Sequence, residues 1–174
     1  MINHFIGKNY IAGQWIESIS KDTFVSINPS HITNIIGKFA KSEKIDIDHA
    51  VESAKNSLHI WQQKSRIQRS EYLDNFAQIV KNNHEDLSRL ISLECGKPII
   101  EARADVTEGL HMAQYVFGRA RMSYGDVIPS ELPEKDSYML RKPKGVIGII
   151  TPWNFPFAIP MWLICSAIAE GNTV

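Results

Sequence analysis

Residues 144–174 read KGVIGIITPWNFPFAIPMWLICSAIAEGNTV, and the fold turns on how this run divides. No charged residue occurs between Gly145 and Ala169, so length and polarity alone would allow one bilayer-spanning helix. Pro152, Pro156 and Pro160 argue against it. Each removes a backbone donor and clashes with the preceding turn, and a lipid-facing helix rarely carries three. A division into three parts removes the conflict: residues 146–151 suit a strand buried on both faces, residues 152–156 a rigid turn, and residues from about 157 to 170 an apolar helix. Gly171 then ends the helix in a left-handed conformation, and Asn172-Thr173-Val174 opens a second strand. Strand, turn, helix and strand make a βαβ unit, the building block of nucleotide-binding sheets.

In such sheets ligands bind beyond the carboxyl ends of the strands. Here that place is Thr151-Pro152-Trp153-Asn154-Phe155-Pro156. Two prolines stiffen the loop, Trp153 offers a flat apolar surface, and Asn154 supplies an amide that donates without ionising. A fixed neutral donor is what a developing oxyanion needs. Taken from the loop alone, a second reading stays open, in which Asn154 ties its own turn and Trp153 is core.

The run PKGVIGIITPWNFPFAIPMW, followed by AIAEGNTV, resembles the aldehyde dehydrogenase superfamily, whose signature is P-x-G-V-x-G-x-I-x-P-W-N-F-P, then a helix, then A-x-x-x-G-N-T-V. Tyr10-Ile11-Ala12-Gly13-Gln14-Trp15 resembles the opening hairpin of that family, Asn28-Pro29 an early strand end, and Glu94-Cys95-Gly96-Lys97-Pro98 its E-x-G-K-P element.

The resemblance implies NAD(P)-dependent oxidation of an aldehyde, a semialdehyde among the options, to a carboxylate, or to a thioester in an acylating branch. In that chemistry a cysteine thiolate attacks the aldehyde, hydride leaves to the nicotinamide, and a glutamate activates water. Asn154 matches the amide that stabilises the oxyanion of the thiohemiacetal. Ile150, Thr151, Pro152 and Trp153 match the wall beside the cofactor riboses, with NAD or NADP as cofactor. Family members are well over twice this length, and the resemblance places the nucleophilic cysteine, the glutamate base, the glycine-rich phosphate loop and the ribose selector after Val174. Cys95 falls within the E-x-G-K-P turn and Cys165 within the apolar helix, so both read as buried spectators. Leu163 stands where many members have a lysine. Some branches acting on semialdehydes lack that lysine too.

Before this stretch the chain reads as scaffold. Residues 9–39 are rich in β-formers separated by Gly13, by Ser20-Lys21-Asp22 and by Asn28-Pro29-Ser30; His4 and His31 read as solvated turn residues. Helical spacing begins near Asp46, read as a cap, with Ile47, Ala50, Val51, Ala54, Leu58 and Trp61 on one face. A capping box of Ser65 and Gln68 opens a second helix. A third runs over about 85–94 and stops at Gly96. A fourth, about 99–121, carries Ile99, Arg103, Val106, Leu110, Ala113 and Phe117 as its stripe, with Glu101, Asp105 and Glu108 read as a solvated face. The four are expected to form a layer packed on a sheet. His111 has no partner at metal-ligand spacing, and no metal site is expected. Residues 124–144 turn to Gly, Pro and alternating charge and read as a loop into an extended arm. By resemblance this is the oligomerisation arm, which implies a homo-oligomer.

Lysine plus arginine and aspartate plus glutamate each number 19, for a net charge of zero, which argues against a nucleic-acid partner. Two cysteines at unrelated positions fit a reducing compartment. Residues 1–8 have neither an apolar core for a signal peptide nor an arginine-rich import pattern, so the cytoplasm is expected.

The expected fold is therefore α/β: the N-terminal half of a Rossmann-like nucleotide-binding domain with its helical layer (1–123), part of the oligomerisation arm (124–144) and a first βα unit (145–174). One strand and a stub cannot bury both faces of a sheet, so a truncated product or fragment is expected. Two functional readings follow: the front part of an aldehyde dehydrogenase, or a non-catalytic assembly piece that docks on a complete homologue.

Overall fold

The computed structural model describes residues 5–174. Strands β1 (Phe5–Gly7), β4 (Thr23–Ile27) and β5 (Ile35–Ala40) form one sheet in the order β1-β5-β4, with β5 parallel to β1 and antiparallel to β4. Between them, β2 (Asn9–Ile11) and β3 (Gln14–Ile16) make the hairpin read from the sequence. Its two loop residues, Ala12 and Gly13, have φ of 52° and 77°. Positive φ at both is the turn whose twist matches paired strands. His31 is exposed, as expected, and His4 lies outside the described residues.

Five helices follow the strands: α1 (Lys44–Gln63), α2 (Arg66–Asn82), α3 (His84–Cys95), α4 (Ile99–Arg119) and α5 (Ala158–Ala169). The capping box at the start of α2 is present, with Gln68 N–H donating to Ser65 Oγ and Ser65 N–H donating to Gln68 Oε1. At α1 the N-cap is Glu43. Asp46 is the third helical residue, where its carboxylate accepts from the N–H groups of Glu43 and Ile19. It therefore caps from inside the helix and ties it to the strand region, which corrects the reading of Asp46 as the cap itself. Gly96 ends α3 with φ 70°, and Gly171 follows α5 with φ 93°.

The core lies between helices. Leu73, Ala77 and Val80 of α2, Ala102, Val106, Leu110 and Ala113 of α4, and Cys165 and Ala169 of α5 are buried together. Burying a side chain such as Leu73 or Val80 contributes about 1.5–3 kcal/mol, and the alanines let the helix axes approach. The layer thus packs on itself and on α5 rather than on a broad sheet. The stripe on α4 also differs in one member: Arg103 is exposed and donates to Glu85 at 2.9 and 2.8 Å. Its place is taken by Asp105, which is fully buried. Reading Asp105 as part of a solvated face was wrong, because spacing of three and four from Ala102 and Gly109 puts it on the packed side. Glu101 and Glu108 are exposed as expected.

Strand formation at 146–151 is reduced to one parallel bridge between Val146 and Thr173. Ile147 N–H donates to Thr173 O at 2.8 Å, and Thr173 N–H donates to Gly145 O at 3.2 Å. Among the described residues only Thr173 pairs with this segment. Ile150, expected inside, is 99% exposed, with no layer packed over it among the described residues. Within residues 124–144, β6 (Gly125–Ile128) pairs antiparallel with β7 (Ser137–Leu140). Among the described residues no helix is long and apolar enough to cross a membrane.

Candidate active site

The proline-flanked loop ahead of α5 is held by its main chain. Three residues, one at the end of α3, one in the α3–α4 turn and one within α4, reach the loop and the start of α5. Cys95 Sγ lies 3.9 Å from the Trp153 carbonyl oxygen and donates to it. Lys97 Nζ donates to the Asn154 carbonyl at 2.6 Å. Asp105 Oδ1 accepts from the N–H of Ala158, the first residue of α5, at 2.7 Å. Helix α5 has no capping side chain of its own at Phe157, so a carboxylate from α4 satisfies one of its orphan donors and faces the positive end of its dipole.

Lys97 and Asp105 also pair with each other, Nζ to Oδ2 at 3.3 Å, with side chains 13% and 0% exposed. The ammonium sits 4.5 Å from the centre of the Phe155 ring. A carboxylate, a carbonyl and a ring face thus occupy the directions of its three protons. The turn that presents Lys97 is fixed by Gly96, whose positive φ suits glycine, and by Ser92 Oγ, which donates to the Lys97 carbonyl at 2.8 Å.

The opposite end of α5 is matched to the other sign. Arg69 Nε donates to Ala169 O at 3.0 Å, and Arg66 Nη2 meets Glu170 Oε1 at 2.5 Å. Trp61 Nε1 donates to Ile168 O at 2.8 Å. Anion at the start and cation at the end both favour the helix dipole. Asn172 then joins α5 to the strand: its Oδ1 accepts from the N–H of Lys144 at 2.6 Å and of Gly145 at 3.0 Å, and its Nδ2 donates to Ala167 O.

With the backbone held, the side chains expected to carry chemistry face outward. Asn154 and Pro152 are exposed and Thr151 is half-buried; Trp153 is 86% exposed. Trp153 is therefore not core, and Ile150, Pro152, Trp153 and Asn154 are uncovered, with Thr151 half-buried among them. The cysteines differ from each other. Cys165 is buried, and desolvation pushes its thiol up to about 11. Cys95 is only half-buried, contrary to expectation, yet burial and then the Glu94 charge raise its thiol as well, against the opposing pull of Lys97. Neither is a ready thiolate. His111 is exposed, and no three His, Cys, Asp or Glu residues among those described gather as a metal site.

A family model described as the aldehyde dehydrogenase family matches residues 15–174. The chain belongs to that family. The alpha-ketoglutaric semialdehyde dehydrogenase of Bacillus subtilis is 36% identical over 168 residues, covering 95% of this chain and 34% of that protein. Malonate-semialdehyde dehydrogenase 2 of Bacillus mycoides is 39% identical over 166 residues, again 95% and 34%. Among solved aldehyde dehydrogenases, the NAD-dependent enzyme from Sinorhizobium meliloti superposes with a TM-score of 0.92 at 30% identity, over 99% of this chain and 35% of that one. A point mutant of the Staphylococcus aureus betaine aldehyde dehydrogenase, in complex with NAD+, gives 0.87 at 32% identity, over 94% and 33%. This chain spans about a third of the length of the relatives it matches, and its fold is the corresponding part of the aldehyde dehydrogenase fold.

Lys97 and Asp105 are the two site residues that the sequence reading missed. For Asp105 the signal was present in its helical spacing. For Lys97 the E-x-G-K-P element was recognised, but what the lysine holds lies in a loop 57 residues away.

Proposed function

We propose that this chain forms part of an NAD(P)-dependent aldehyde dehydrogenase that oxidises an aldehyde to a carboxylate through a cysteine thiohemiacetal. Asn154 is the donor to the oxyanion, and Ile150, Thr151, Pro152 and Trp153 form the cofactor wall. The observation that carries the reading is the division of labour in the loop: Lys97 takes the Asn154 carbonyl, and the exposed side-chain amide remains for a reacting oxygen. A donor fixed before reaction costs no reorganisation when the oxyanion forms.

The uncovered strip fits a nicotinamide cofactor. The face of Trp153 and the side chain of Ile150 are apolar surfaces that a ribose or ring can cover, and the fixed loop keeps them in place. When bound, the nicotinamide accepts hydride. The proteins named above as semialdehyde dehydrogenases make a semialdehyde the proposed substrate class. The thiolate comes from neither cysteine of this segment, since both thiols are raised.

The proposal extends to organisation: 1–123 as the helical and strand part of the nucleotide-binding domain, 145–174 as its first βα unit, and 124–144 as an arm for homo-oligomer assembly in the cytoplasm. The arm hairpin leaves Val127, Tyr138 and Leu140 exposed, and each strand pairs on one edge only among the described residues, as an intersubunit sheet requires.

The test is Asn154→Ala in the full-length enzyme, with semialdehydes and either nicotinamide nucleotide. Turnover is expected to fall about a hundredfold or more with cofactor binding retained. Unchanged turnover would remove Asn154 from the chemistry.

A further inference from the structure

The Lys97 ammonium, through its 2.6 Å bond to the Asn154 carbonyl, constrains the direction in which the Asn154 side chain leaves the backbone. A peptide unit is planar, and no peptide bond among the described residues is cis, so a held carbonyl fixes a whole plane. Lys97 holds the plane that joins Asn154 to Phe155. Cys95, two residues earlier at the end of α3, holds the Trp153 carbonyl at 3.9 Å, and with it the plane that joins Trp153 to Asn154. The two planes meet at the Asn154 α-carbon, and their mutual rotation sets where its Cβ points. Of the two grips the ammonium is the stronger, because a charged N–H donor outweighs a thiol. No other hydrogen bond to Asn154 forms among the described residues.

The work of Lys97 divides from that of Asp105. Asp105 Oδ1 caps α5 at the N–H of Ala158 and does so without Lys97. What the ammonium adds lies one step before the helix, at the Asn154 carbonyl and at the Phe155 ring 4.5 Å away. Its own base is fixed: Ser92 Oγ donates to the Lys97 carbonyl at 2.8 Å, and the side chain is 13% exposed and paired with Asp105 at 3.3 Å. A buried ammonium is costly unless it is paired and hydrogen-bonded, and here the bonds that satisfy it are those that set the loop. With Lys97 removed, Asp105 still faces the positive end of the α5 dipole. The helix then keeps its cap while the loop loses its hold.

We infer that Lys97 is a positioning residue for the reaction and acts through Asn154: it holds the Asn154 main chain so that the side-chain amide meets the oxyanion as it forms. Its ammonium is spent on the protein and does not reach the reacting atoms. The inference rests on the reading of Asn154 as the oxyanion donor. A positioning role lowers kcat at nearly unchanged binding when the residue is lost, whereas a brace for the fold alone lowers stability and leaves the turnover of folded enzyme intact.

The experiment compares full-length Lys97→Ala, Lys97→Met and Asn154→Ala with the unaltered enzyme in kcat, aldehyde KM and nucleotide Kd, with folding followed by circular dichroism. Lys97→Ala is expected to lower kcat about tenfold or more and to leave aldehyde KM and nucleotide Kd nearly unchanged. Added ethylammonium, which enters the vacated space and brings N–H donors, is expected to restore part of kcat. Tetramethylammonium carries the same charge without an N–H and is expected to restore none. Lys97→Met refills the space without a donor; it is expected to fold even if Lys97→Ala does not, and to show the same loss of kcat with no rescue. Unchanged kcat in a folded Lys97 variant, or no greater restoration by ethylammonium than by tetramethylammonium, would overturn the inference, while a slow Asn154→Ala enzyme would leave the oxyanion reading standing. An Asn154→Ala enzyme as fast as the unaltered one would instead remove that reading, and the role of Lys97 with it.

Discussion

The carboxylate of Asp105 accepts the backbone N–H of Ala158 at 2.7 Å across 53 residues of sequence. A fully buried residue in the second turn of α4 thereby caps a helix to which it does not belong, and with its other oxygen it pairs with Lys97, which donates to the Asn154 carbonyl. Position of the loop and stability of the helix behind it rest on the same carboxylate.

Asp105→Ala removes the cap and leaves the largely buried Lys97 ammonium without its partner. A loss of about 3–5 kcal/mol in unfolding free energy is expected in urea titrations of the full-length protein. Asp105→Asn keeps an acceptor for Ala158 and is expected to lose less. An Asp105→Ala midpoint equal to that of the unaltered protein would mean that the capping bond has no weight.

Lys97→Met tests whether loop position and chemistry are linked. Release of the Asn154 carbonyl is expected to lower kcat about tenfold or more, since small misplacements of a catalytic group are expensive. In an Asn154→Ala background the same change is expected to do much less to kcat, because the group it positions is gone. Full additivity of the two effects would sever Lys97 from Asn154.

Asn154→Asp is close to isosteric but ionisable. At neutral pH it is expected to be slower than Asn154→Ala, because a carboxylate opposes the developing oxyanion. Its rate relative to Asn154→Ala is expected to recover as the pH falls towards the ordinary carboxylate range, measured as kcat against pH. A parallel pH profile for the two variants would contradict the role.

Gly96→Ala places a Cβ 2.8 Å from Pro29 Cγ and 3.1 Å from Ser30 Oγ, at a backbone φ of 70°. The left-handed conformation costs a side chain about 1–2 kcal/mol, and the contact adds to it. A lower thermal midpoint is expected, together with reduced turnover because Lys97 is the next residue. Wild-type stability would show that the turn relaxes freely.

The Cys165 thiol, with its folded value pushed up to about 11 by burial, gives a pH dependence of definite sign. The folded state holds this proton more tightly than the unfolded chain, so the stabilisation is complete below the ordinary thiol value of about 8.5 and is lost as pH rises towards 11. Cys165→Ala is expected to flatten that part of the stability profile, and alkylation of Cys165 at mildly alkaline pH is expected only after denaturation.

Local signals decided much of this protein. Three prolines spaced by four divided the apolar run into turn and helix, Ser65 and Gln68 opened α2, Gly96 and Gly171 closed α3 and α5, and Ala12-Gly13 turned the first hairpin. Each acts through sterics or hydrogen bonds within a few residues, so each is legible in order along the chain. The family is legible for the same reason, because its motifs are short and local.

What the tertiary structure decided concerns partners distant in sequence. Whether 146–151 is a strand depends on neighbours at its edges, and with Thr173 alone beside it the segment makes one bridge and exposes Ile150. Whether Asp105 is solvent-facing or buried depends on α5 covering that side of α4. Lys97 takes the Asn154 main-chain carbonyl from another helix junction, and the Asn154 side chain is exposed. The pairing of Arg66 with Glu170 likewise exists only where α2 meets the end of α5. Sequence determined the elements; long-range contact determined which polar groups were spent on holding the fold and which stayed exposed.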